Sequence, residues 1–429
     1  MSDRVLAGGG RLKGEVRMPG DKSVSHRALI FGALAEGVSE AEGLAPGADV
    51  RSTRGVLTAL GVEFEDVSAG HVRVHGRGLG GLKAHAGELD AGNSGTTTRL
   101  MAGVLAGHPF LSRLTGDGSL CSRPMERVAV PLRAMGADVK LTKAGTAPIT
   151  IIGGRLKGLK YEMPVASAQV KSAILLAGLH ASGSTVVVEK TPTRDHTERM
   201  LALFGAPPKR GKNRVEVKGG VGLKAACVDV PGDPSSAAFW AVAAAACAGA
   251  ELAVRGVLAG ETRTGYLSVL TRMGADVRRV AAAARGGEEC EDLTIRGGKL
   301  RGVEVSAKEA PGLIDEVPIL ALAAAVAEGE SRFRGLDELR HKESDRLAGI
   351  AALLTAFGAK ARVEEDDLIV SGGAKLKGTT VDSLDDHRLA MTGYVAGFLA
   401  SGQTKVLKAD CAEISYPSFY GDFDARRTT

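Results

Sequence analysis

Cysteine is scarce in this 429-residue chain: Cys121, Cys227, Cys247, Cys290 and Cys411 lie far apart, and none forms a CxxC pair. So dispersed and odd a set argues against a disulfide framework or a thiolate zinc site and fits a reducing, cytoplasmic compartment. Aromatic residues make up only 4%, too few for the stacking platforms that hold single-stranded nucleic acid. Long apolar runs are missing too. The most apolar segment, Ala237 to Ala250, is too short to span a bilayer and reads as a buried helix. No basic, apolar and small-residue signal opens the sequence. Neither sign of charge dominates: 55 Lys and Arg against 50 Asp and Glu leave +5, spread without a basic block. That suits a small anionic substrate better than a polyanion or a membrane surface. No G-x-G-x-x-G follows a strand and no G-x-x-x-x-G-K-[ST] occurs, which removes the dinucleotide fingerprint and the P-loop. Gly118-Ser119-Leu120-Cys121-Ser122 matches neither a nucleophile elbow nor a cysteine-nucleophile box. Cys121 reads as a small loop thiol.

What is present is a repeat. With 44% apolar and 24% charged residues over this length, two globular domains are expected. In Pro19-Gly20-Asp21-Lys22-Ser23-Val24-Ser25-His26-Arg27, a strand ends and a polar cluster opens an apolar helix. The arrangement returns at Asn93-Ser94-Gly95-Thr96, Ser167-Ala168-Gln169-Val170-Lys171-Ser172, Asp233-Pro234-Ser235-Ser236, Asp315-Glu316-Val317-Pro318 and Asp385-Asp386-His387-Arg388. The period of about 70 residues suits a unit of two helices and several strands. Second helices end in small turns such as Met135-Gly136-Ala137 and Phe357-Gly358-Ala359, glycine being the usual helix stop. The hexapeptide Gly153-Gly154-Arg155-Leu156-Lys157-Gly158 recurs near the N-terminus as Gly9-Gly10-Arg11-Leu12-Lys13-Gly14. The N-terminal strand is therefore expected to complete the sixth repeat and tie the chain ends together. Three repeats per domain give 20–229 as one domain and 1–19 plus 230–429 as the other, joined by a two-stranded hinge.

Helix starts offer free N–H groups and a positive dipole end, so six of them facing one cleft would trap an anion. The cations Lys22, Arg27, Arg99, Arg123, Arg194, Lys342, Arg346 and Arg388 lie in or near the polar clusters and loops, with Arg suited to bidentate carboxylate or phosphate binding. Leu347, Ile350, Leu354 and Phe357 form an apolar stripe, so Leu339-Arg340-His341-Lys342-Glu343-Ser344-Asp345-Arg346 is read as the first part of an amphipathic helix. Glu343, between two cations, is either a solvated surface charge or an acid tuned for proton transfer. Asp315 is either an N-cap or a carboxylate at the cleft. Asp385-Asp386-His387 has no second histidine cluster to complete a metal site.

These motifs, in order and spacing over the whole length, resemble the 5-enolpyruvylshikimate-3-phosphate (EPSP) synthase family. Those carrying the resemblance are Asp21 to Arg27, Gly92-Asn93-Ser94-Gly95-Thr96, Ser122-Arg123-Pro124-Met125, Ser167-Ala168-Gln169, Arg194-Asp195-His196-Thr197-Glu198, Lys342 to Arg346 and Asp386-His387-Arg388. The resemblance implies a two-domain inside-out α/β barrel of six repeats, three per domain, with the active site in the interdomain cleft. It implies transfer of an enolpyruvyl group from phosphoenolpyruvate to the 5-hydroxyl of shikimate 3-phosphate, without metal or organic cofactor, by a monomer. Shikimate 3-phosphate would meet Lys22, Ser23, Arg27, Ser167, Ala168, Gln169, Arg194, Asp315 and Lys342. Phosphoenolpyruvate would meet Lys22, Asn93, Gly95, Arg123, Gln169, Arg346 and Arg388. Asp315 would be the base and Glu343 the acid, with Lys22 and Lys342 assisting.

Two positions depart from the family pattern. Ile414 stands where some members have a lysine before Ser415-Tyr416-Pro417, and Cys121 where a basic or hydroxyl residue is commoner. Gly95 leaves room beside phosphoenolpyruvate, so inhibition by glyphosate is expected. The nearest rival, the sister transferase acting on UDP-N-acetylglucosamine, usually has Lys-Asn-Ala at Lys22-Ser23-Val24 and a catalytic loop cysteine. A non-catalytic anion binder on the same scaffold is the other alternative, and it would not require both Asp315 and Glu343.

Overall fold

A computed structural model describes residues 2–428. The chain forms two compact units: 20–231 with 284–288, and 2–19 with 232–283 and 289–428.

Within the first unit, three apolar helices, Lys22–Leu34, Gly95–Ala106 and Ala168–His180, are almost wholly buried. They are apolar on every face after the first turn, which leaves them no side to offer to water. Gly103 lets two of them approach closely, since a Cβ there would lie 2.2 Å from the Ala173 carbonyl oxygen. Three four-stranded sheets pack with the helices, with strand residues alternating between buried and exposed. In one of them, Ser184–Val188 runs antiparallel to Arg214–Lys218 and takes Lys160–Glu162 as a parallel neighbour. The last strand of the unit, Cys227–Asp229, pairs in parallel with Val38–Glu42 of the first repeat, so the third repeat closes onto the first. Shorter outer helices such as Glu126–Met135 end on left-handed glycines, here Gly136 at φ 109°.

The second unit repeats the plan with core helices Pro234–Ala246, Val317–Val326 and His387–Leu399. Here the chain's own N-terminus closes the ring. Arg4–Ala7 pairs antiparallel with Gln403–Leu407, as the repeat count anticipates for the sixth repeat. Arg11–Arg17 pairs in parallel with Glu251–Leu258 and antiparallel with Arg427–Thr428. The few aromatics gather in this unit: Phe419 and Phe423 of the helix Phe419–Arg426 meet Trp240, Tyr394 and Phe398. The apolar stripe Leu347, Ile350, Leu354 and Phe357 is buried.

One expected element differs. The helix carrying that stripe begins at Arg346, and the residues before it form a 3-10 turn, Asp337–His341, followed by irregular chain. Asp345 takes the N-cap, its carboxylate accepting from the Ala348 N–H at 3.0 Å, and a capped start cannot continue backwards as helix. Lys342 and Glu343 therefore sit on a loop.

Candidate active site

The residues singled out in the sequence fall into two constellations, one in each compact unit.

In the first unit, Asp21 caps the helix Lys22–Leu34, accepting from the Val24 N–H at 2.8 Å. Lys22, at the first turn, places Nζ 2.8 Å from Asp49 Oδ2. Ser23 is half-buried beside it. Arg27, one turn on, is buried and donates from Nη1 to the Ser23 carbonyl (2.8 Å), from Nε to Thr197 Oγ1 (2.7 Å) and from Nη2 to Ser172 Oγ (2.7 Å). Burial pulls the Arg27 pKa down to about 10, with the carboxylates of Glu198, Asp21 and Glu288 opposing it and Arg194 adding like-charge repulsion. Arg194 is half-buried in the loop ahead of the helix His196–Leu203.

Ser94 and Ser167 cap the other two core helices, accepting from the N–H groups of Thr97 (3.1 Å) and Val170 (3.4 Å). Gly95 and Ala168 are thus the first helical residues. Arg123 is buried and donates from Nη2 to Asn93 Oδ1 (2.7 Å) and Ser119 Oγ (3.1 Å). Gln169 accepts from Arg99 Nη1 at 2.6 Å and donates to Thr96 Oγ1 at 2.9 Å. His26 Nδ1 and Thr97 Oγ1 both meet Thr53 Oγ1, at 2.6 and 2.7 Å. Side chains therefore join all three helix starts: the first to the third through Arg27, the third to the second through Gln169, and the second to the first through Thr53. Cys121 donates to the Gly116 carbonyl at 3.4 Å.

In the second unit everything turns on Arg346, which is 1% exposed. It donates from Nε to Asp386 Oδ2 (2.7 Å), from Nη1 to Asp315 Oδ1 (3.4 Å) and from Nη2 to Glu343 Oε2. Burial works against its charge, but the carboxylates of Asp386, Glu343 and Asp315 overcome that and raise its pKa above the ordinary value. Lys342 Nζ lies 3.5 Å from the same Asp315 oxygen. Glu316, not Asp315, occupies the N-cap position of Val317–Val326, so the N-cap alternative for Asp315 fails and its carboxylate faces two cations. Arg388 donates to the Asp315 carbonyl at 2.9 Å. Asp386 caps His387–Leu399, accepting from the Arg388 N–H at 2.9 Å, as well as holding Arg346.

Sequence reasoning assigned no role to several residues now seen at these sites. Asp49 and Thr53 come from the outer helix Ala48–Ala59. Arg263, 2% exposed, donates to Asp233 Oδ1 (3.1 Å) and Ser235 Oγ (3.3 Å), and Ser235 in turn bonds Glu316. Lys171 carried a usable signal: a lysine inside an otherwise apolar helix, which needs a buried counter-charge.

A family model described as EPSP synthase (3-phosphoshikimate 1-carboxyvinyltransferase) matches residues 6–423. A 3-phosphoshikimate 1-carboxyvinyltransferase of Methylococcus capsulatus is 50% identical over 414 residues, covering 96% of this chain and 94% of the relative. One from Acidithiobacillus ferrooxidans is 49% identical over 421 residues, covering 98% and 96%. Among solved structures, EPSP synthase from Acinetobacter baumannii superposes with a TM-score of 0.88 at 43% identity, covering 100% of this chain and 98% of that one. The enolpyruvyl transferase NikO from Streptomyces tendae, at 19% identity and a TM-score of 0.79 over 98% of this chain and 96% of its own, shares the fold. The chain belongs to the EPSP synthase family, the 3-phosphoshikimate 1-carboxyvinyltransferases.

Proposed function

We propose a division of roles for this family's reaction, in which the enolpyruvyl group of phosphoenolpyruvate passes to the 5-hydroxyl of shikimate 3-phosphate and phosphate leaves. Ser23, Arg27, Ser167, Ala168 and Arg194 hold shikimate 3-phosphate, and Lys22 and Gln169 reach both substrates. Asn93, Gly95, Arg123, Arg346 and Arg388 hold phosphoenolpyruvate. Capped helix starts and buried guanidinium groups suit two substrates that each carry a phosphate and a carboxylate.

Asp315, with Lys342 beside it, takes the proton of the 5-hydroxyl as that oxygen bonds the central carbon of phosphoenolpyruvate. Glu343 gives a proton to the methylene carbon, making it a methyl group. The tetrahedral adduct then expels phosphate as the methyl group returns a proton to the Glu343 carboxylate, forming the enol ether of the product. Lys22, Lys342 and the arginines stabilise the charge that moves. The observation that carries this reading is Arg346 holding Asp315 and Glu343 on one buried guanidinium, since binding alone would not require both acids.

Phosphate release from purified protein tests it. Release is expected with phosphoenolpyruvate and shikimate 3-phosphate, and none with UDP-N-acetylglucosamine. Asp315→Asn is expected to lower turnover about 10²–10⁴-fold, the usual weight of a general base, while shikimate 3-phosphate still binds; near-normal turnover removes Asp315 from the mechanism. Alkylation of Cys121 is expected to leave activity intact. We further propose a cytoplasmic monomer that glyphosate inhibits in competition with phosphoenolpyruvate.

A further inference from the structure

Lys171 is the only lysine or arginine in the core helix Ala168–His180, and the mechanism above gives it nothing to do. Its side chain is 1% exposed, with Nζ 2.7 Å from Glu198 Oε1 and 3.0 Å from Glu189 Oε2. The same ammonium donates to the Thr193 carbonyl at 3.4 Å. Glu198 is 2% exposed and Glu189 is 7% exposed. These partners are not scattered. Glu189 follows the strand Ser184–Val188, while Thr193 and Glu198 lie on either side of Arg194 in the chain. One ammonium therefore ties down both ends of the loop that presents Arg194.

A neighbouring residue on each element repeats the grip. Ser172 Oγ and Thr197 Oγ1 are 2.7 Å apart, and each accepts from Arg27 at 2.7 Å. Two consecutive residues of one helix thus hold two consecutive residues of another, with Arg27 across one pair and Lys171 inside the other. A buried ammonium shared by two carboxylates contributes little net stability compared with apolar packing, but it permits few arrangements of its partners.

We infer that Lys171, through Glu189 and Glu198, is a positioning residue for the shikimate 3-phosphate subsite, fixing the loop of Arg194 relative to Arg27. The inference rests on the reading above in which Arg27 and Arg194 hold shikimate 3-phosphate. Its signature is selectivity between substrates. A loosened Arg194 loop weakens shikimate 3-phosphate and leaves the subsite of Asn93 and Arg123 unchanged.

The test is steady-state kinetics on Lys171→Met, Lys171→Arg, Glu198→Gln and Arg194→Ala, with each substrate varied in turn. Lys171→Met and Glu198→Gln are expected to raise the KM for shikimate 3-phosphate roughly tenfold or more, and the KM for phosphoenolpyruvate less than about twofold, because misplacement of a binding group costs on that scale. Lys171→Arg, which keeps the charge, is expected to recover most of the loss. An equal rise in both KM values, a fall in kcat alone, or an unchanged KM for shikimate 3-phosphate in a folded variant overturns the proposal. If Lys171→Met does not fold, Glu198→Gln decides by the same criterion, because it leaves Lys171 paired with Glu189. Arg194→Ala separates the two levels. No change there removes the Arg194 assignment and this proposal with it; a raised KM there with Glu198→Gln silent overturns the positioning role alone.

Discussion

Arg346 shows how much one side chain can be asked to do. Its three nitrogens reach Asp386, Asp315 and Glu343, a fork that only a guanidinium supplies. Arg346→Lys keeps the charge but offers a single point to three carboxylates. We expect kcat/KM to fall about 10²-fold or more, on the scale seen when one preorganised electrostatic contact is lost; a variant within twofold of wild type would contradict this. At Gly95, an added Cβ would lie 2.9 Å from Arg99 Nη1 and 3.4 Å from Arg123 Nη1. Both are ends of flexible side chains, so Gly95→Ala is expected to fold, to weaken phosphoenolpyruvate modestly, and to raise the glyphosate concentration for half-inhibition at least roughly tenfold, as crowding of a ligand subsite does. Inhibition curves on the two proteins decide it, and coincident curves would remove Gly95 as the determinant. The polar clusters and their cations were legible in the sequence because capping residues and arginines stand out against apolar helices. Their partners were not. Nothing local links Lys22 to Asp49 or Lys171 to Glu189, and only the folded chain brings them together.

At the scale of elements, the core helices could be read from their apolar runs, whereas the start of the helix after Lys342 could not. A dense charge run carries no periodicity, and Asp345 capped the helix where continuation of the pattern would have placed an interior turn. Helix packing makes its own prediction. The backbone approach at Gly103 leaves no room for a side chain, so Gly103→Val should cost about 3 kcal/mol or more through overpacking and backbone shift, read as a lowered Tm. The end of the same helix pair holds a pH-sensitive contact. The rings of His108 and His180 lie 5.0 Å apart, and burial, with His108 adding repulsion, lowers the His180 pKa from 6.5 to about 4. The unfolded chain therefore binds a proton at His180 below pH 6.5 that the folded chain refuses until about pH 4. Stability from this source is complete above that window and falls as pH drops through it, by up to about 3 kcal/mol. His180→Phe should flatten the Tm profile across the window; an unchanged slope would assign acid sensitivity to other groups.

The whole molecule is two closings of the same repeat, achieved differently. One unit closes with its own last strand, Cys227–Asp229, and the other with strands from the start of the chain. The near-constant spacing of the polar clusters made the repeat visible, and the stray N-terminal hexapeptide pointed to the second closure. The sheet register was not readable, because strands of three to five residues carry too few alternations to fix it. Deleting residues 2–8 removes Arg4–Ala7 and bares the edge of Gln403–Leu407. Limited proteolysis should then degrade the unit containing 289–428 first and leave a protected fragment spanning 20–231; uniform degradation would show that the units do not unfold separately.

That closure also sets a timetable for a chain made from its N-terminus. Residues 20–231 hold nearly every partner they need as soon as they emerge, so that unit can fold while translation continues. Arg4–Ala7 and Arg11–Arg17 come out before that unit, yet they wait for Gln403–Leu407 and Glu251–Leu258. During that wait the nascent protein carries two unpaired strands next to a finished body, the state most open to capture by a chaperone or by another nascent chain. Two strands made ahead of that body are thus paired only after it has folded.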